Sequence, residues 1–379
     1  MKNKKIIIIV CSIIVLFGLV FTIIKLTSTD NGGGDIVKTN KGNVKIVASK
    51  VSKIEFEDYE NDALSMKKPK GWEVTFGGDG MFYTISVYDK ENPINKIYLM
   101  LKIQPLLKSD SAKKSWQNYA ALSGNSSTYK IYTTAVVLNN PTVKEFYSKF
   151  NDVTDFLKGI DSTYNTVKFP VLNNFDVVEE FDTSASMKSY AMDSKVLRAT
   201  FKDEKNNDGE GMFMASVVNF GNGYNWGMDT TFYMIYDIYA ITCEKDNFID
   251  YEDVLTKSIN SIEFKSSYVN KTIESNNTET ANALKLSASV QAAFDSYMSA
   301  WEKRSITYDI MSQKQSDATL GYERVYDTET NEIYKAYNGF TDDYSGERYK
   351  SISDDMYTKK TSGYIEKIGE WWKIKKCGL

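Results

Sequence analysis

Arg304, Arg324 and Arg348 stand in a stretch that also holds Asp309, Asp317, Asp327, Asp342, Asp343, Asp354 and Asp355, with eight tyrosines between Tyr322 and Tyr364. The only other arginine is Arg198, so 42 of the 46 basic residues are lysine. Where lysine is the default cation, a retained guanidinium points to a planar, bidentate fork or a stacked cation, which an ammonium does not supply. Two arrangements satisfy that need. In one, each arginine ends in an internal pair with Asp or Glu that ties a hairpin to a helix. In the other, Arg304, Arg324 and Arg348 grip an anionic group in a cleft where Tyr326, Tyr334, Tyr337 and Asp327 supply stacking faces and a polar partner.

Other chemistry is bounded by residue type. The chain has no histidine, which excludes Ser–His–Asp and Cys–His nucleophiles and any His-ligated metal site. Asp342-Asp343 and Asp354-Asp355 offer hard oxygen ligands suited to Ca²⁺, against solvated loops as the plainer alternative. Glu204-Lys-Asn206-Asn-Asp208-Gly209 begins like a calcium loop, but its twelfth position is Ala215 and the bidentate ligand is missing. Gly77-Gly78 and Gly221-Asn-Gly223 are turn glycines with no following Gly-Lys-Ser/Thr, so no phosphate loop is formed. Catalytic residues, resident metal and cofactor are accordingly all expected to be none. Cys243 and Cys377 lie in the exported part defined below and are one possible disulfide, against two separate thiols.

The elements that must position these residues begin at an apolar run. Lys2, Lys4 and Lys5 precede Ile6 to Ile24, 19 residues without a charge. A helix of about 20 residues spans a bilayer core, and the lysines set the amino end in the cytoplasm. The reading is a cytoplasmic tip (1–5), an uncleaved transmembrane signal anchor (6–24), a flexible stalk (25–43) and an extracellular bulk; a cleaved signal peptide is the weaker alternative. Beyond residue 25 the balance is 42 basic to 50 acidic residues, net −8, which disfavours nucleic acid as a partner.

Two α+β modules with mainly antiparallel sheets carrying helices on one face are expected at 44–160 and 161–269. In the first, Phe82 to Tyr88 and Ile97 to Ile103 read as a hairpin about the turn Asp89–Asn95. Ser109 or Asp110 caps a helix, and another follows Pro141 with Val143, Phe146, Tyr147 and Phe150 on its apolar face. In the second, Gly211-Met-Phe213 repeats Gly80-Met-Phe82, and Thr231 to Thr242 parallels Lys96 to Ile103, so the modules are read as possible duplicates. The remainder, 270–379, is a polar linker, one long amphipathic helix carrying Val290, Phe294, Tyr297, Trp301, Tyr308 and Met311, and a Tyr-rich β region. There Tyr322–Tyr326 and Glu332–Tyr337 alternate about Asp327–Asn331 as a hairpin.

The run Ser312 to Phe340, with the weaker matches Asp354-Asp355-Met-Tyr357 and Gly363-Tyr-Ile-Glu366, resembles a segment of uncharacterised membrane-anchored or secreted proteins of Gram-positive, clostridia-like bacteria. That resemblance implies an envelope location and no particular activity. Lys68-Pro-Lys-Gly-Trp72 and Leu255 to Phe264 are similar to patterns in PsbP/Mog1-like α+β domains. Anchor, stalk, tandem modules and the missing catalytic set together indicate a membrane-anchored extracytoplasmic binding or scaffolding protein. The membrane is its partner through 6–24, a cell-wall polymer and another envelope protein are the further partners considered, and the ligand is left open. The alternatives are an accessory subunit of an envelope complex or a carboxylate-dependent wall hydrolase.

Overall fold

A computed structural model of the chain describes residues 35–368 apart from 125–126, 221–223, 226–227, 230 and 276–285. It divides into two compact units. The larger contains 53–316 and 354–360, and the smaller contains the residues up to 52, 317–353 and those from 361 onward. The molecule is of the α+β class, as the sequence indicates. Among the described residues no helix is long and apolar enough to cross a membrane, and the run 6–24 lies outside them.

The described chain opens with a hairpin of the smaller unit, β1 (Ile36–Thr39) and β2 (Gly42–Ala48), paired from Ile36↔Lys45 to Thr39↔Gly42. This corrects the stalk reading over 36–43; residues 25–34 lie outside the described residues. Val37, Val44 and Ile46 supply an apolar face that pattern-reading over so few residues misses, and they pack into the smaller unit's core.

In the larger unit, β3 (Phe56–Glu60), β4 (Leu64–Pro69), β5 (Glu73–Gly77), β6 (Thr84–Tyr88) and β7 (Lys96–Leu107) lead into α1 (Asp110–Leu122), α2 (Lys130–Thr134), α3 (Val143–Ser148) and α4 (Phe150–Ile160). The expected cap forms, Ser109 Oγ accepting from Ala112 N, and Thr142 Oγ1 accepts from Glu145 N at the start of the helix after Pro141, both at 3.1 Å. Next come β8 (Asn173–Asp182), β9 (Ala191–Lys202), β10 (Asp208–Phe220), the short β11 (Tyr224–Asn225) and β12 (Met228–Asp229), and β13 (Phe232–Glu244). The unit closes with α5 (Phe248–Asn260), β14 (Glu263–Phe264), α6 (Ser266–Ser275) and α7 (Leu286–Lys303).

Seven of these strands make one antiparallel sheet in the order β5-β6-β7-β13-β10-β9-β8, and β14-β4-β3 make a second, small one. The boundary near residue 160 therefore does not separate two modules, because β7 and β13 pair with each other at the centre, Ile97↔Ile241 and Ile103↔Ile235. The Gly-Met-Phe triplets are not equivalent either. Gly80–Phe82 is a single 3₁₀ turn capped by Asp79, whereas Gly211-Met-Phe213 lies inside β10. Each long central strand is followed by helix, which is what the repeat pattern detected.

Helices cover both faces of the sheet rather than one. Phe146, Tyr147, Phe150 and Leu157 of α3 and α4 pack with Tyr98, Phe213 and Ile238 on one face, while α5 and α7 lie against the other. That arrangement explains why β7, β10 and β13 are apolar nearly throughout instead of alternating.

The long helix expected over 290–311 is two. α7 ends at Lys303, and α8 (Ile306–Leu320) begins after Ser305, whose Oγ accepts from Tyr308 N at 3.2 Å. The division between the units falls within α8. Only the first part of the stripe is core: Val290 and Tyr297 are buried, but Met311 is 66% exposed. The buried residues of α8 are polar instead, Asp309, Gln313, Ser316 and Asp317.

The smaller unit continues with β15 (Tyr322–Asp327), β16 (Ile333–Tyr337), α9 (Phe340–Asp343), β17 (Tyr349–Ser351) and β18 (Gly363–Lys367). The expected hairpin is present, Tyr322↔Tyr337 to Tyr326↔Ile333. It lies in a six-stranded sheet, β1-β2-β18-β16-β15-β17, in which β16 and β18 run parallel. Val44, Val325, Ala336, Phe340 and Ile365 form its core.

Candidate functional site

The three arginines singled out in the sequence do not line a shared cleft. Arg304 belongs to the larger unit; its Nε reaches Asp309 Oδ2 at 2.7 Å and its guanidinium stacks 3.7 Å above the Trp301 ring. Arg324, 3% exposed in the smaller unit, donates to Asp317 Oδ2 at 2.6 Å. Arg348 makes the bidentate fork its residue type predicts, from Nε and Nη2 to Asp327 at 3.0 and 2.8 Å, with Glu329 at 3.2 Å from Nη1. Asp327 is also the turn residue of the hairpin, accepting from Glu329 N at 2.9 Å. Burial pushes its carboxyl up, and Arg348 with the turn amides more than offsets this, leaving it below the usual carboxylate range.

The candidate tyrosines are engaged in the same local way. Tyr326 hydroxyl donates to Asn331, Tyr334 to Glu332 at 2.5 Å and Tyr337 to Asp343 at 3.1 Å. Both proposed calcium pairs are drawn into ion pairs: Asp343 takes Lys41 at 2.8 Å, and Asp354 takes Lys314 at 2.6 Å. The two pairs also fall in different units. Among the described residues no group of three or more Cys, Asp or Glu is placed to hold a metal. Cys243 is fully buried, its Sγ donating to the Glu244 carbonyl at 3.3 Å; burial pushes the thiol well up, and Cys377 lies outside the described residues.

The fourth arginine, absent from the sequence-derived site, carries the densest charge cluster. Arg198 is 2% exposed and touches Glu210 at 2.6 Å, Asp309 at 2.7 Å and Glu179 at 3.2 Å, with the Tyr308 ring 4.9 Å away. Burial works against its charge, but Glu210 and Asp309 raise its pKa, while burial pushes Glu210 up. Asp309 is shared with Arg304, so two guanidiniums neutralise the first buried acid of α8. These arginines are retained because a polar helix face has been buried and needs forks to satisfy it.

An open cleft exists elsewhere in the larger unit. A cavity of about 620 Å³ lies between the β3–β4 turn, the end of β5 and α6, within the ~300–1,000 Å³ range of small-ligand sites. Its floor is aromatic. Tyr83 is central, with Phe76 stacked at 6.3 Å and Tyr268 and Phe264 edge-on at 5.7 and 6.4 Å. Phe76 is 48% exposed and lines the cavity.

Local turns hold this floor in place. Asn61 Oδ1 accepts from Ala63 N and Leu64 N at 2.9 and 3.0 Å, fixing the β3–β4 turn, and its Nδ2 donates to Tyr83 hydroxyl at 2.8 Å. Tyr268 hydroxyl donates to Gly80 carbonyl at 2.8 Å, pinning α6 to the 3₁₀ turn. Gly78 has φ +71°, and a Cβ there would fall on the Phe82 carbonyl and 2.7 Å from Tyr164 hydroxyl, so glycine is required. Asp79 pairs with Lys271 at 3.2 Å on the rim. Burial pushes the Tyr83 and Tyr268 phenols up, so both are neutral donors and acceptors at ordinary pH.

Sequence reasoning missed this cleft because its rings come from residues 76, 83, 264 and 268. The only local signal was the Gly77-Gly78 turn, which carries no ligand chemistry of its own. No protein-family model and no curated relative matches the chain.

Proposed function

We propose that this chain is a membrane-anchored extracytoplasmic binding protein without catalytic activity, which captures its ligand in the Phe76–Tyr83–Tyr268 cleft. The observation that carries the reading is the half-exposed Phe76 set on a preorganised aromatic floor. An exposed ring costs solvation unless something covers it, and rigid aromatic platforms supply contact area at low entropy cost. The neighbouring polar groups orient rather than react. Asn61 is locked by its own turn, Asp79 is paired, and the two phenols are held neutral.

The anchor rests on Lys2, Lys4, Lys5 and the uncharged run 6–24, with the amino end cytoplasmic and residues beyond 25 outside. The likeness of Ser312 to Phe340 to anchored proteins of Gram-positive bacteria agrees with that placement. For the alternative of a carboxylate-dependent hydrolase in 304–366, Asp309, Asp317 and Asp327 are each paired with arginine.

The test is protease shaving of intact cells together with retention on purified cell wall. The expected result is digestion from outside, release on deletion of residues 1–25, and weaker wall retention of Phe76→Ala. Protection from external protease, or retention indifferent to Phe76, overturns the reading.

A further inference from the structure

A second cavity, about 460 Å³, adjoins the first across Asp79, which lines both. The last residue of the 3₁₀ turn and the residue after it serve the two sides: Tyr83 lines the first cavity and Phe82 the second. Tyr164 stands behind the second, its hydroxyl donating to Phe82 carbonyl at 2.8 Å, and Gln104 and Ile131 are partly exposed within it. Two adjoining subsites, each with an aromatic wall and a carboxylate on the rim between them, fit a chain of repeating amphipathic units better than one compact molecule.

Charge and backbone narrow the chemistry. The two cavities are lined by three carboxylates (Asp62, Asp79, Asp161) and three lysines (Lys130, Lys265, Lys271). The lysines are committed: Lys271 to Asp79 at 3.2 Å, Lys265 to Glu60 at 3.4 Å, and Lys130 to the Gly159 carbonyl at 2.6 Å. With an exported part of net −8, that lining does not attract a polyanion. A peptide added as a strand would need a free edge. Beside β5 the segment 162–168 lies against that edge, Thr163 Oγ1 accepting from Gly78 N at 3.0 Å and Lys168 N donating to Thr75 Oγ1 at 2.9 Å.

The geometry points to a linear, uncharged glycan lying across both cavities, one sugar ring on the Phe76–Tyr83 platform and another against Phe82, with Asp79 accepting hydroxyls between them. This deepens the binding function above and rests on the cleft being the ligand site.

The test titrates the full chain in detergent with soluble β-1,4-linked N-acetylglucosamine oligomers from dimer to hexamer, and with a set of extended octapeptides. Affinity is expected to rise about tenfold from dimer to hexamer as the second subsite engages. Phe76→Ala should abolish binding at every length, and Gln104→Ala should bring the hexamer back to the dimer's affinity. Equal binding of dimer and hexamer, or a hexamer indifferent to Gln104→Ala, overturns the two-cavity assignment while leaving the cleft. Phe76-dependent binding of octapeptides without oligosaccharides overturns the glycan and keeps the cleft. Binding of neither probe overturns the glycan, and binding unchanged by Phe76→Ala overturns both.

Discussion

The Arg/Tyr stretch of 304–366 and the Phe76–Tyr83 cleft make opposite uses of the same residue types. In the first, every candidate guanidinium and hydroxyl finds a partner within the protein over short distances, and Asp309, Asp317, Asp327 and Asp343 among those partners are buried. In the second, aromatic rings are locked from behind while one face of Phe76 is left uncovered. Dense polar chemistry in a sequence is thus a weaker guide to a ligand site than unfinished packing. A fork that ends on a buried carboxylate has little left for a ligand, whereas a half-exposed ring such as Phe76 keeps part of its surface open for stacking.

The contrast is testable as a separation of stability from binding. The largest stability effect is expected for Arg198→Leu, which strands Glu210 and leaves Asp309 to Arg304 alone. Removing one side of a buried ion pair costs about 3–5 kcal/mol, read as a shift in the denaturant midpoint, with ligand binding by the folded fraction unchanged. Arg324→Lys keeps the charge but loses the fork on Asp317, and a loss of roughly 1–3 kcal/mol is expected. Near-wild-type stability there would show that position 324 needs only a cation.

Lys96 gives a pH signature. It is 3% exposed, donates to the Phe169 carbonyl at 3.0 Å, and burial lowers its pKa to about 7. Between there and the ordinary lysine value of about 10.4, the unfolded chain binds a proton the folded one rejects. Stability therefore rises with pH across that window, and Lys96→Met should flatten the rise in unfolding curves taken at successive pH values.

Asp327 works in the other direction. Its folded pKa is lowered by Arg348 against the opposing effect of burial. The pair's contribution is present above the ordinary carboxylate value of about 3.9 and is lost as pH falls through the lowered folded value. Asp327→Asn should remove that part of the acid-unfolding profile. The smallest stability effect belongs to Phe76→Ala, within about 1 kcal/mol for a half-exposed residue, yet it should give the largest loss of binding. A large stability loss at Phe76 with intact binding would erase the distinction between the two regions.

Local signals were legible where they depend on neighbours in sequence. Ser109 as a cap, the apolar face of Val143, Phe146 and Tyr147, and the hairpin about Asp327–Asn331 all follow from short-range patterns. The first part of the hairpin, 36–43, was read as stalk because the strand that its second arm pairs with, β18, lies more than 300 residues later in the chain. The helix over 290–311 was read as continuous because a periodic stripe does not record that α8 buries Asp309 and Asp317. Arg198 passed unnoticed as a site because its partners at 179, 210 and 309 come from three separate elements.

The sequence by itself determined the α+β class, the absence of histidine chemistry, the rarity of arginine and most of the local elements. Each of these is a property of composition or of residues a few positions apart. Only the tertiary structure decided that one seven-stranded sheet joins the two presumed modules, that the arginines satisfy buried acids, and that Phe76, Tyr83 and Tyr268 meet in an open cleft. Pairing register and side-chain satisfaction depend on contacts between distant segments, and no local pattern encodes which distant residue will arrive.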